Sequence, residues 1–275
     1  MVWMAVGGWA ASQATVPEWL SESALPFVFL GLIVGLMIGL TSIGAGAIAT
    51  PVLILFLETP PLAAVGSAIV AGAVSKAVGA WRHSRRGAFD SKLVRSLLAG
   101  SVPGVGVAVM ALYLLRHQSL AVANVWVDRL LGLALVLLGL SVLARDTGWV
   151  RRWQAGEGHP SLVRRGVLIG VVVGVVFGAT SIGTGSLLVL LLSIFLSLSE
   201  VRVVGTAIFY GFVISLFASI LHIAWGTVSW PLVGWLLLGS LPGVMIGSEL
   251  AARAPRRFLR ACFSLGAVWA GWKLI

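Results

Sequence analysis

The chain is predicted to be an all-α polytopic membrane protein made of two homologous, inverted repeats. Each repeat would hold a broken or re-entrant helix pair and three transmembrane helices. Three observations predict this. Hydrophobic residues make up 59% of the chain and charged residues only 10%, with a mean hydropathy of +1.05, which excludes a soluble globular domain. The sequence also repeats itself at an offset of 139 residues, Gly31–Ala108 aligning without a gap on Gly170–Gly247. Roughly 29 of about 78 positions are identical, among them glycines, prolines and a histidine that composition alone would not match. Finally, two apolar stretches are too long to be single spans and carry the same break-forming motif.

Residues 1–26 read as an N-terminal interfacial segment, with Trp3, Trp9 and Trp19 suited to the headgroup level and no basic start of a signal peptide. Repeat 1 covers 27–144 and repeat 2 covers 166–275, joined by the basic, turn-rich linker 145–165. Ordinary spans are expected at about 60–82, 91–115, 122–144, 200–223, 229–250 and 257–274, each near the ~20 residues a bilayer requires. The stretches at about 27–57 and 166–198 would each be roughly 46–50 Å long as one helix, against a hydrocarbon core of ~30 Å. Each contains Thr-Ser-Ile-Gly-x-Gly, at 41–46 and at 180–185, and Pro51 follows the first copy. Glycine weakens a helix interior while Ser and Thr favour its caps, so each stretch is expected to be two half-helices.

Charge arbitrates between crossing and re-entry. With eight full spans the Lys and Arg divide about 11 to 7 between the two faces; with re-entrant hairpins they divide about 15 to 3, as the positive-inside rule prefers. Equivalent loops also carry opposite charge bias, since the arginines after His83 have no counterpart after His222. Inverted repeats with both termini outside the cytoplasm are therefore expected. The net charge of +10 lies in these loops and suits anionic headgroups, so no nucleic-acid partner is expected. A single cysteine, Cys262, excludes an intrachain disulfide and any multi-cysteine metal site.

A helix broken within a membrane directs free N–H groups and its positive dipole end at the gap, a setting for an anion. The candidate substrate-binding residues are Thr41, Ser42, Gly44 and Gly46 in repeat 1, with Thr180, Ser181, Gly183 and Gly185 in repeat 2. The competing reading is tight helix packing at small residues. Ser101 with Pro103, and Ser240 with Pro242, lie in mid-span and are candidates for lining a cavity or kinking a helix. His83 and His222 occupy matching span ends, as satisfied interfacial histidines or as proton and anion contacts. Lys76 lies deeper, and either snorkels to headgroups or attracts an anion near the inner mouth.

The nine acidic residues fall in loops or near span ends, which argues against a buried carboxylate relay for protons or cations. There is no His-Glu-x-x-His, Gly-x-Ser-x-Gly or Walker A sequence. No enzyme activity, metal or cofactor is expected. The reading is a secondary transporter of an anion, in which one repeat would rock against the other. The rivals are a passive anion channel, an intramembrane enzyme and a scaffold protein. Self-association is left open.

Ser42–Pro51, Pro60-Pro61, Ala64–Ala68, Trp81–Gly87 and Leu98–Gly104, in this order and spacing, resemble the TauE/SafE sulfite exporter family. The likeness runs from about Leu30 to Leu274, duplication included. It implies a permease of sulfite, sulfoacetate or other organosulfonates in the bacterial inner membrane, the bilayer and a small anion being its partners. The chain departs from the family pattern at Ala47, where many members carry a further glycine, and at Gly183–Ser186, which no proline follows.

Overall fold

A computed structural model describes residues 24–41, 46–84, 90–146, 162–195, 200–250 and 256–275, and every described element of regular structure is an α-helix. In chain order these are α1 (Leu25–Thr41), α2 (Gly46–Leu55), α3 (Pro61–Ser84), α4 (Ser91–Gln118), α5 (Leu120–Asp146), α6 (Leu162–Thr180), α7 (Ser186–Phe195), α8 (Glu200–Ala224), α9 (Trp230–Leu250) and α10 (Arg256–Leu274). Five of them, α4, α5, α6, α8 and α9, contain stretches long and apolar enough to cross a membrane. Large apolar side chains such as Leu133, Leu137, Leu238 and Met245 face outward, where lipid would cover them.

The ordinary spans match the hydropathy pattern closely. The second over-long stretch breaks at its Thr-Ser motif; in the first, the described helices are Leu25–Thr41 and Gly46–Leu55, and residues 42–45 lie outside the described residues. The first members of the two stretches, α1 and α6, have 17 and 19 residues, and only α2 and α7, at 10 residues each, are half-length. In the second stretch the helix runs through Gly170, Gly174 and Gly178 up to Thr180, those glycines serving helix packing rather than ending it. Asp128, expected near a span end, lies about two turns inside α5, with a buried Oδ1 that has no partner among the described residues.

The tightest helix contacts are made by glycine. Gly31, Gly35 and Gly39 of α1 lie directly on the α9 backbone around Leu236, Ser240 and Gly247; Gly239 and Gly243 return the contact on Val28 and Leu32. The duplicate positions do the same: Gly170 and Gly174 of α6 lie on Leu97 and Ser101 of α4. Both pairs run parallel. Small residues allow this approach, which is the main source of helix association where lipid is as apolar as the core. Each pair joins a helix from one half of the sequence duplication to a helix from the other half.

Two further pairs bring duplicated helices together in opposite directions. Gly132 of α5 touches its own duplicate Gly271 of α10, and Gly139 meets Ser264 and Val268. In α3 and α8, Gly66 lies on Thr227 while Lys76 reaches Ser215. The ties are reciprocal: the Ser229 N–H donates to Ser67 Oγ at 2.9 Å, and the duplicate donor, the Asp90 N–H, reaches Thr206 Oγ1 at 3.1 Å. Asp90 also caps α4 by accepting from Lys92 and Leu93 N–H. Along α3 and α9, Ser67 meets Ser229 and Ser75 meets Ser240, so these helices run parallel, and α1 shares their direction.

The duplication is not exact inside. Gly31, Val34, Ala49, Ala68, Ala71, Ser75, Leu236 and Ser240 surround a cavity with room for about one water molecule. At the position matching Ala71, the other repeat carries Tyr210, fully buried among Leu97, Val173, Leu188, Ala207 and Ile214. These residues match Leu236, Val34, Ala49, Ala68 and Ser75. One repeat thus fills with an aromatic ring the volume that the other leaves open.

Candidate functional site

The second break is built by its own motif. Thr180 ends α6 by donating its hydroxyl to the Val176 carbonyl at 2.6 Å and accepting from the Ile182 N–H at 3.2 Å. Such local side-chain bonds offer the backbone an alternative to the helix ladder. Ser181 then adopts φ 62° and Gly183 φ 135°, the latter a conformation open essentially to glycine. The chain re-enters helix at α7, its first turn anchored by Leu188 N–H to Gly183 O and Val189 N–H to Gly185 O, both at 3.0 Å.

The start of α2 meets it. A side chain at Gly46 would overlap the carbonyl and hydroxyl of Ser181, so only glycine lets the start of α2 approach this closely. One turn on, the hydroxyls of Thr50 and Ser181 are hydrogen-bonded at 2.6 Å, fully buried between the two repeats. Ala47 and Ile182 join Leu131, Leu135 and Phe263 in one apolar cluster, so α5 and α10 close this side.

From the other side comes Lys76 on α3. Its ammonium donates to Thr184 Oγ1 and to Ser215 Oγ, each at 2.8 Å, and lies 5.2 Å from the centre of the Phe177 ring. Ser215 is the residue that duplicates Lys76. The lysine therefore turns inward to the second break instead of snorkelling to headgroups. No carboxylate pairs with it among the described residues, and no group of residues there could hold a metal ion.

The remaining candidates are dispersed. Ser101 bonds back to the Leu97 carbonyl, and Ser240 bonds Ser75 at 2.9 Å beside the small cavity. Pro103 and Pro242 lie on exposed faces of continuous helices, away from that cavity. His222 is fully buried and bonded at both nitrogens, to Thr227 Oγ1 at 2.7 Å and to the Gly178 carbonyl at 3.1 Å, which ties α8 to α6. Ser42 and Gly44, together with the side chains of Thr41 and His83, lie outside the described residues. Sequence reasoning passed over Thr50, Phe177 and Thr184. Thr184 alone had a signal, as the variable residue inside the second motif.

Apolar helices crossed through glycine, with interrupted helices meeting around polar groups in the interior, define a multi-pass membrane protein of the transporter kind. The family model described as "Sulfite exporter TauE/SafE" matches residues 27–274. Among curated proteins of Bacillus subtilis (strain 168), the chain is 35% identical to the probable membrane transporter protein YjnA, over 92% of this chain and 100% of that one. It is 24% identical to the probable membrane transporter protein YdhB (90% and 98% covered) and 26% identical to the probable membrane transporter protein YunE (84% and 88%). No solved structure matches. The chain belongs to the TauE/SafE sulfite exporter family and is a multi-pass membrane transporter.

Proposed function

We propose that this chain is a permease for small sulfur-containing oxyanions, such as sulfite or sulfoacetate, in a bacterial cell membrane, working without covalent turnover. The observation that carries the reading is the meeting of the two breaks, Gly46 and Thr50 of one repeat against Ser181 of the other. The second break leads into α7, whose first N–H groups have no partner within that helix, the arrangement by which discontinuous helices bind anions. The family description and the absence of an acid beside Lys76 favour the same class of substrate.

The repeats, 27–144 and 166–275, are taken to be inverted, with re-entrant hairpins. Supporting this, α3 and α8 run antiparallel at duplicated residues, as do α5 and α10. Because α1 and α3 point the same way, α2 has to return between them. Exchange of helices between repeats also changes the expected motion. Rocking repeat against repeat would part α1 from α9 and α4 from α6, the closest contacts in the molecule. The moving bodies are instead those two crossed pairs, sliding where Thr50 meets Ser181.

Proteoliposomes loaded with sulfite test the function. An inside-negative potential drives an anion outward, so efflux should rise with potential, saturate with substrate and be exchanged by external sulfite. Conduction that never saturates would make the protein a channel, and no flux of any sulfur oxyanion would end the reading.

A further inference from the structure

Hydrogen-bond bookkeeping around Lys76 leaves a surplus of donors. An ammonium has three N–H donors and no acceptor. Two of them reach Thr184 Oγ1 and Ser215 Oγ. Each hydroxyl spends a lone pair on the lysine, so its own hydrogen is left for something else. Neither hydrogen finds an acceptor among the described residues. Among the described residues the cluster therefore presents the remaining lysine N–H and two O–H groups to a ligand.

In apolar surroundings such a group is costly unless a counter-ion arrives. A donor set of one ammonium N–H and two hydroxyls suits a small anion with several acceptor oxygens. The Phe177 ring closes one side of the ammonium, and Thr184 sits within the break just before α7, so the ligand would also meet that helix start.

We propose that Lys76, Thr184 and Ser215 form the substrate site, and that the transported oxyanion binds as the counter-ion of Lys76. This rests on the permease reading and deepens it by fixing the charge and donor pattern of the substrate. It also sets specificity. A sulfonate bearing its own ammonium, such as taurine, places like charge against Lys76 and should bind worse than sulfoacetate.

The test is calorimetric titration of the purified protein in nanodiscs of phosphatidylcholine, which has no net charge, with sulfite, sulfoacetate, taurine and chloride. Wild type should bind sulfite saturably. Lys76→Met should weaken binding about 10- to 100-fold, the range for loss of a charge-assisted hydrogen bond. Lys76→Arg should retain most of it, and Ser215→Ala should lose several-fold. Equal sulfite affinity in wild type and Lys76→Met overturns the site. If Lys76→Met does not fold, an unchanged affinity in Thr184→Val has the same meaning. Sulfite exchange in proteoliposomes separates the two readings: exchange that persists unaltered in Lys76→Met removes this site alone, whereas no exchange in wild type removes both. Supplementing the nanodiscs with phosphatidylglycerol identifies a lipid phosphate as the true ligand if it abolishes sulfite binding, and that result also overturns the proposal.

Discussion

At the scale of the residue, the centre of the molecule depends on two glycines. Gly46 lies against Ser181 with no room for a side chain, and Gly183 holds a φ of 135°. Gly46→Ala should force α2 away from the second break, costing about 1–3 kcal/mol of stability. Thermal unfolding in detergent should show the loss, and sulfite exchange should fall with it. Gly183→Ala should cost a similar amount, about 1–3 kcal/mol, through backbone strain instead of overlap. Thermal unfolding in detergent should show this loss as well. Both glycines were legible as a repeated motif. Their partners were not, since Thr50 and Ser181 come together only when two segments 131 residues apart meet. Lys76 shows the limit most clearly. Its apolar setting marked it as unusual, but its reach to Thr184 and to its own duplicate Ser215 requires antiparallel packing of α3 on α8, which hydropathy does not encode.

At the scale of the element, hydropathy and turn chemistry located the helices well. α3, α4, α5, α8, α9 and α10 fall at the six expected spans, and among the described residues α4, α5, α8 and α9 hold stretches long and apolar enough to cross a membrane. The position of the second break followed from Thr180, Ser181 and Gly183, whose local hydrogen bonds and backbone angles end α6. The short helix α2 touches the second break through Thr50 and Ser181, whose hydroxyls are 2.6 Å apart. A Thr50→Cys, Ser181→Cys pair, made in a Cys262→Ser background, should cross-link on oxidation and arrest sulfite exchange. Reduction should restore it. Full activity in the cross-linked protein would show that the two breaks need not move against each other.

At the scale of the whole molecule, each repeat supplies the closest helix neighbour of the other. Fragments divided between Asp146 and Leu162 should each fail to accumulate alone and should assemble when expressed together, which co-purification from membranes would check. A fragment that is stable alone would mean that the glycine contacts of α1 with α9, and of α4 with α6, add little. The inequality of the halves matters at this scale too. Tyr210 fills what Ala71 leaves open, so the two halves of the duplication are not mirror images in packing.

The exchange of helices also bears on how the protein is made. The ribosome releases α1 roughly 190 residues before α9 begins, which is about 10–40 s at ordinary bacterial elongation rates. Throughout that interval the Gly31–Gly39 face has no partner from its own chain. The nascent helix must be sheltered by lipid or by the insertion machinery, and slower translation of the second half should lengthen its exposure to membrane proteases.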